Sequence, residues 1–201
     1  MRRQLSSALL VAAIAGAVAV PRLAAQGAPV QAAAERVAFP LSVAVTYDAT
    51  LANSITSQSF WMNGGRVQVC GDFYRGLGIV ADIAGMNAGN IHSTGISLDM
   101  VTATFGPRYT WSRAHSRTSI YGQGLLGVAN GFNGLFPEPG AAVTSTYSMA
   151  LQVGGGVDVA LTPRIALRAF QADWLRTQFP NSTTLVQNSL HLGAGFVFRF
   201  R

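Results

Sequence analysis

Apolar and polar residues alternate along most of the chain after about residue 40. The alternation is clearest at the end, where Leu190, Leu192, Ala194, Phe196, Phe198 and Phe200 occupy every second position. The positions between them hold Ser189, His191, Gly193, Gly195, Val197 and Arg199. Successive side chains of a β-strand point to opposite faces. This segment therefore predicts a strand with one apolar, aromatic face and one small or charged face.

The same alternation predicts eight strands. They are Leu41–Ala49, Phe60–Gly71, Gly76–Gly85, Ile96–Trp111, Thr118–Asn130, Thr146–Leu161, Arg164–Arg176 and Leu190–Phe200. The connections alternate in length: 49–59, 86–95, 131–145 and 177–186 are long, whereas 72–75, 112–117 and 162–163 are short. Long loops at one end and tight turns at the other are typical of closed transmembrane β-barrels, whose long loops lie outside the cell. An even strand number places both ends of the barrel on the inner, periplasmic side.

The seventh segment departs from strict alternation. If Arg168 faces the polar side, a period of two sends Gln171 and Asp173 to the apolar side. One extra residue near Ala169 and Phe170 restores all three to the polar face. We therefore predict a β-bulge at that point.

Alternation alone fits both a soluble lipocalin-type barrel, which hides its apolar face, and a membrane barrel, which exposes it. Only 11% of residues are charged, against roughly 25% in soluble proteins, so the polar faces hold too few charges to coat a soluble barrel. Their small side chains suit a narrow interior of eight strands. Tyr47, Trp61, Tyr109, Trp111, Tyr147 and Trp174 are expected near strand ends, as in interfacial girdles. We favour the membrane barrel.

The first residues carry an export signal. Residues 1–26 have an Arg2-Arg3 start, an apolar stretch and a small-residue exit, which predicts a cleaved signal peptide. Residues 27–40 form a predicted flexible leader, and 41–201 the barrel domain. Removing the signal peptide lowers the net charge from +6 to about +3, and the remaining arginines are scattered, so nucleic acid is not an expected partner. The single cysteine, Cys70, has no disulfide partner and fits a small buried filler.

Five stretches resemble the OmpA-like small outer-membrane β-barrel proteins. They are residues 77–82, 105–109, 153–158, 165–174 and the terminal Gly-Ala-Gly-Phe-Val-Phe-Arg-Phe. The ending resembles the family's insertion signal at Gly195, Phe198 and Phe200, although Arg201 follows where the family closes on Phe. The resemblance implies a monomeric barrel in the bacterial outer membrane, without cofactors or catalytic residues. The expected partners are outer-membrane lipid and lipopolysaccharide, with the barrel assembly machinery and periplasmic chaperones during biogenesis.

Charged residues on the polar faces are expected in the barrel interior. They are Arg66, Asp82, Arg108, Asp158, Arg168, Asp173, His191 and Arg199, together with the amide of Gln152. A charge in a narrow, partly dry lumen is costly unless it is paired. We predict a packed network of Arg–carboxylate pairs. The alternative is a charge-lined conducting path, for which eight strands leave little room.

Catalytic chemistry is not expected. Some small outer-membrane barrels modify lipid A and need a Ser or His with a carboxylate near the outer leaflet. His92 lies in a predicted outer loop near Ser93 and Asp99, whereas His191 faces inward with Ser189. Nothing else in the pattern supports a triad, no C-x-x-C metal spacing occurs, and the Gly154–Gly156 run lacks the helix and lysine of a phosphate loop.

The expected role is structural, adhesive or another surface interaction. Within the loop 131–145, Phe132, Leu135 and Phe136 are the candidates for contact with an external partner, and ordinary rim packing is the alternative. A narrow passive pore and an outer-leaflet lipid A-modifying enzyme remain the other two hypotheses.

Overall fold

The computed structural model describes residues 40–55, 58–89, 91, 97–113, 116–138, 141–180 and 186–200. It contains eight strands: β1 Leu41–Ile55, β2 Gln58–Tyr74, β3 Leu77–Ala88, β4 Leu98–Ser112, β5 Thr118–Glu138, β6 Ala141–Ala160, β7 Ile165–Thr177 and β8 Gln187–Phe200. The described helical residues offer no helix with the length and hydropathy to cross a bilayer. The predicted signal peptide lies outside the described residues, as does the predicted leader apart from Pro40, and both stay predictions.

The strands close into an antiparallel, up-and-down barrel in chain order. Closure comes from β1 and β8, which pair from Leu41 opposite Phe200 to Asn53 opposite Asn188. Closing the sheet leaves the wall of the barrel without a free strand edge. The predicted fold class is confirmed.

The two ends of the barrel differ. We call the end that holds the start of β1 and the end of β8 the turn end, and the opposite end the loop end. At the turn end β2 and β3 are joined by Arg75 and Gly76, which both have positive φ angles of 43° and 87°. A two-residue hairpin turn with positive φ at both positions matches the twist of the flanking strands. The other connections at this end are residues 113–117 and 161–164.

Two of the predicted long loops are largely strand. β1 continues to Ile55 and β2 begins at Gln58, and the β5–β6 ladder continues to Glu138 paired with Ala141. The segments 49–59 and 131–145 therefore extend two hairpins beyond their predicted ends. The Asn, Ser, Gly and Pro residues that indicate loops have been overridden by pairing with the neighbouring strand. Residues 89–97 and 178–186 do connect strands at the loop end.

The predicted bulge is present. Val157 pairs with Phe170 and Asp158 with Arg168, so Ala169 is the extra residue on the β6 side. On the β8 side the register shifts between Arg168 and Gln171. Ala169 and Phe170 both point outward, which returns the next polar side chain to the interior. The physical reason is the one that the sequence offered: the cost of placing Gln171 and Asp173 on the apolar face.

The apolar faces point out and the polar faces point in. Ile79, Val153 and Phe196 are 58%, 48% and 50% exposed, whereas Arg108 and Asp158 are 4% and 7% exposed. All six predicted girdle aromatics are exposed, although Tyr47 falls inside β1 because that strand is longer than expected. A sheet that exposes its aliphatic and aromatic side chains and buries its arginines has the arrangement of a membrane barrel.

The interior is not uniformly polar. At the loop end twelve buried apolar residues fill the lumen, which we call the apolar plug: Ala52, Phe60, Met62, Ala84, Met86, Ala88, Met100, Ala129, Phe136, Ala150, Leu175 and Phe179. The sequence predicted small residues and charges throughout the interior. Met86 and Phe136 lie beyond the predicted ends of their strands. Phe60 and Met62 lie within the predicted second strand, on the same face as Arg66. The charged groups are therefore confined to the middle and the turn end.

Candidate functional site

A network of charged and amide side chains crosses the middle of the lumen, and Arg66 is its centre. Its Nε lies 2.7 Å from Asp48 Oδ2, its Nη1 pairs closely with Asp173 Oδ2, and the same Nη1 is 3.6 Å from Asp82. Arg66 Nη2 donates to His191 Nδ1 at 2.8 Å. Arg66 is 2% exposed and its carboxylate partners are 1% exposed. Buried charges persist only with such partners, since desolvation alone would cost several kcal/mol per ion.

Glutamine side chains join the charged groups into one network. Gln68 donates to Asp82 Oδ2 at 2.5 Å, while its carbonyl oxygen accepts from Arg108 at 2.7 Å and from Arg168 at 2.5 Å. An amide is suited to this position because it donates at one end and accepts at the other. Gln68 thus connects a carboxylate to two arginines without adding charge.

Gln123 and Gln171 repeat this arrangement around Asp173. Gln123 donates to Asp173 Oδ1 at 2.9 Å and accepts from Arg108, and Gln171 donates to Asp173 Oδ2 at 2.5 Å and accepts from Arg168. Arg168 also forms a two-fold contact with Asp158, from Nε at 2.8 Å and from Nη2 at 3.1 Å. With Asp48 on β1 and His191 on β8, every strand contributes at least one side chain. The network therefore ties all eight strands together across the axis.

Tyr121 lies between two guanidinium groups. Arg108 and Arg168 stack over its ring with their central carbons 4.2 Å and 4.5 Å from the centroid. Gly156 makes room for this ring, because a Cβ there would meet the Tyr121 hydroxyl at 2.7 Å. Gly154 likewise leaves the space that the Asp173 carboxylate fills. The glycine run of β6 is thus explained by close packing against the network.

The structure brings together seven of the eight predicted network residues: Arg66, Asp82, Arg108, Asp158, Arg168, Asp173 and His191. Arg199 does not join them. It is only half-buried and lies at the turn end, so its prediction as a network member was wrong. Alternation indicates the face of a residue but not its depth along the barrel axis.

The alternation pattern did not predict five further members of the network, which are Asp48, Gln68, Gln123, Gln171 and Tyr121. Four of these residues lie on the polar face of their predicted strands, which was a usable signal. For Gln171 the β-bulge had to be taken into account as well. Asp48 was the easiest of the five to predict, because it lies on the same face of the first strand as Thr46 and Thr50.

Catalytic geometry is not assembled in the described residues. Arginine can only donate, so His191 Nδ1 must accept, and its lone pair is already engaged by Arg66. His191 is 1% exposed and Ser189 is also buried, so neither faces a substrate. Asp99, at the loop end, accepts from Asn87 and Asn133 at 2.5 Å. His92 and Ser93 lie outside the described residues. No group of His, Cys, Asp and Glu in the described ranges is arranged to hold a metal ion.

The predicted contact residues of the β5–β6 hairpin are not an exposed aromatic patch. Phe136 is buried, packs 5.7 Å from Phe179 between ring centroids, and closes the loop end of the apolar plug. Gly131 allows this, because a Cβ there would lie 2.7 Å from the Phe136 ring. Phe132 is half-buried, and the side chain of Leu135 lies outside the described part. The contact prediction for Phe136 was therefore wrong, and rim packing holds instead.

The terminal signal residues lie on the last strand as expected. Phe198 and Phe200 point outward, 40% and 54% exposed, and Gly195 lies opposite Thr46. Arg201 lies outside the described residues.

Comparison with known proteins supports the fold. No protein-family model and no curated protein matches the chain. Among solved structures, Neisserial surface protein A matches with a TM-score of 0.59 at 20% identity, covering 80% of this chain and 97% of that one. Ail, the attachment invasion locus protein of Yersinia pestis, solved with the heparin analogue sucrose octasulfate, matches with a TM-score of 0.53 at 18% identity, covering 80% and 99%.

These likenesses show the fold. The chain has the fold of the small, eight-stranded outer-membrane β-barrels, and its predicted resemblance to that group is confirmed at the level of the fold.

Proposed function

We propose that the protein is an outer-membrane barrel with a structural or surface-interaction role, which neither conducts solutes nor catalyses a reaction. The observation that carries this proposal is the filled lumen. The charge network spans the middle of the barrel with contributions from all eight strands, and the apolar plug fills the loop end. The exposed apolar belt supports a lipid environment, because a soluble protein rarely exposes so many large apolar side chains together.

The filled lumen opposes the pore hypothesis. An ion that crossed the middle would have to separate Arg66 from three carboxylates, and it would then meet the tightly packed Met62, Met86 and Met100. Breaking a buried ion pair costs about 3–5 kcal/mol, and the side chains of the plug itself are all apolar. An eight-stranded barrel has an interior that side chains can fill.

The extended hairpins support a surface role. β1–β2 and β5–β6 continue as paired strands at the loop end, so they can present rigid edges to a partner. The proposal does not extend to sulfated sugars of the kind bound by Ail. In the described part of the loop end, Arg176 is the only exposed basic side chain, and the acidic Asp99 lies at the same end.

Planar-bilayer recording tests the absence of conduction. The folded barrel is inserted into a bilayer, with a large porin inserted in parallel to show that the preparation supports insertion. We expect no stable unit currents from the wild-type barrel. Stable unit currents would overturn the proposal in favour of the pore.

Deletion of the gene tests the role itself. We expect the deletion strain to lose envelope integrity, measured as detergent sensitivity, or surface adherence, and a plasmid copy to restore the property. Unchanged values for both would overturn the proposal. Lipid A is analysed from the same strains, and an acyl pattern that follows the presence of the protein would instead support the enzyme hypothesis.

A further inference from the structure

A polar cavity of about 330 Å³ opens at the turn end of the barrel. It lies below the charge network and is lined by side chains from β1, β2, β4, β5, β6 and β8. Four of its wall residues are arginines: Arg108, Arg113, Arg117 and Arg199. Hydroxyl groups of Ser42, Thr110, Thr118 and Ser119 lie between them. Neither the filled lumen nor the apolar belt explains this concentration of positive charge.

Arg108 forms the inner wall of the cavity, and it is a buried cation without a carboxylate partner among the described residues. Arg66 has three carboxylates and Arg168 has one, whereas Arg108 donates only to the neutral amide oxygens of Gln68 and Gln123. It is 4% exposed. A buried charge with neutral partners is costly. An anion in the adjoining cavity would supply the missing countercharge.

The other three arginines have free guanidinium groups. Within the described ranges, the side chains of Arg113, Arg117 and Arg199 make no hydrogen bond or ion pair. The wall carries two acidic residues, and Asp158 among them already pairs with Arg168. The other, Asp72, accepts a weak contact from the Cys70 thiol at 3.6 Å. Among the described residues, the cavity wall therefore has an excess of positive charge over its acidic groups.

We propose that this cavity binds a phosphate group, through Arg108 at its inner wall and Arg117 and Arg199 at its mouth. The cations lie on β4, before β5 and on β8, so they approach a ligand from several sides of the barrel. Phosphate presents acceptor oxygens in all directions, and arginine forks match such groups in paired hydrogen bonds. The hydroxyl groups can donate to the remaining oxygens. The phosphate belongs either to a soluble phosphate ester or to a phospholipid headgroup.

Binding is measured on the full mature chain folded in micelles of dodecyl maltoside, a detergent without phosphate. Inorganic phosphate and glycerol phosphate are titrated calorimetrically at fixed ionic strength. We expect saturable binding at one site per chain. The double variant Arg117→Gln/Arg199→Gln should bind about tenfold more weakly or worse, because two charge-assisted contacts are lost.

The matched control is Arg75→Gln/Arg164→Gln, which removes the same charge from exposed turns at the same end without touching the cavity wall. We expect its affinity to stay within about twofold of the wild type, since only the screened long-range field changes. Absence of saturable binding to the wild type, or an equal loss in both double variants, would overturn the proposal. Heat-modifiable migration verifies that each variant is folded, and Arg117→Gln alone replaces the double variant if that one does not fold.

Micelles with added phosphatidylglycerol distinguish the two sources of phosphate. If a headgroup is the natural ligand, the added phosphatidylglycerol should compete with free glycerol phosphate for the wild-type site. If a soluble ester is the ligand, the affinity for glycerol phosphate should not depend on phosphatidylglycerol. Both results support a phosphate site, because the comparison between the two double variants must hold with and without the lipid.

Discussion

At the residue scale, the arginines of the barrel interior have unequal numbers of carboxylate partners. Arg66 serves three carboxylates, so its loss would leave Asp48, Asp82 and Asp173 buried together without their cation. We expect Arg66→Met to destabilise the folded barrel by about 3–5 kcal/mol, the usual result of removing one partner from a buried pair. Urea unfolding in lipid vesicles, followed by tryptophan fluorescence, measures the free energy of unfolding.

Asp48→Asn provides the contrasting variant. The amide keeps the shape of the carboxylate, and two acidic partners remain for Arg66, so we expect a change below about 1 kcal/mol because like-charge repulsion within the cluster also falls. Arg75→Met, at the exposed turn, controls for the loss of any arginine. Similar unfolding energies for Arg66→Met and Arg75→Met would contradict the importance of the network.

Residue-level prediction from the sequence succeeded for faces and failed for depth. Period-two alternation placed Arg66, Arg108, Asp158 and His191 inside, because register in a sheet with one apolar face is strongly specified. It also placed Arg199 with them, although Arg199 lies closer to the turn end of the barrel. Depth follows from strand tilt and stagger, which depend on all eight strands at once.

At the element scale, one inserted residue sets the register of the second half of β7. Deleting Ala169 would remove the extra residue and leave Gln171 and Asp173 on the inner face, because the shortened strand alternates regularly from Arg168 onward. Deleting Ala172 from the regular part of β7 would instead send Asp173 toward lipid and bring Trp174 into the lumen. We expect the Ala172 deletion to abolish the folded, fast-migrating band on a detergent gel and the Ala169 deletion to retain it. A folded band for the Ala172 deletion would contradict the need for the inward face of β7.

Strand length is the element property that the sequence did not reveal. Segment 131–145 contains Gly, Asn and Pro in a pattern typical of loops, yet most of it is paired. The deciding contacts are long-range: Phe136 packs on Phe179, and Gly131 gives the ring its space. A local pattern cannot contain the partner that makes a Gly-rich segment fold as a strand.

At the scale of the whole molecule, the exposed apolar surface must be a lipid contact if the barrel spans a membrane. Ile83 and Tyr74 are both 60% exposed, but Ile83 lies in the middle of β3 and Tyr74 at the turn end. We expect Ile83→Arg to cost about 2–4 kcal/mol of unfolding free energy in vesicles and Tyr74→Arg about 0–1 kcal/mol. Equal, small effects would indicate that water, not lipid, covers the belt.

The orientation of the barrel is the remaining property of the whole molecule, and an impermeant thiol reagent can test it. Cys70 is 2% exposed, and Cys70→Ser gives a background without thiols. In this background, Thr144→Cys places a thiol on the exposed side of the β5–β6 hairpin at the loop end, and Arg164→Cys places one at the turn end. Because an even strand number puts both ends of the barrel on the same side as the short turns, we expect both to be periplasmic.

Intact cells should therefore label Thr144→Cys, whereas Arg164→Cys should react only after the outer membrane is permeabilised. The wild-type chain, with Cys70 buried inside the barrel, should stay unlabelled in both states and react on unfolding. The reverse labelling pattern would indicate the opposite orientation in the membrane, with the arginine-lined cavity on the cell surface. Its phosphate would then have to come from outside the cell or from lipopolysaccharide, so the orientation decides which ligand source is physically available.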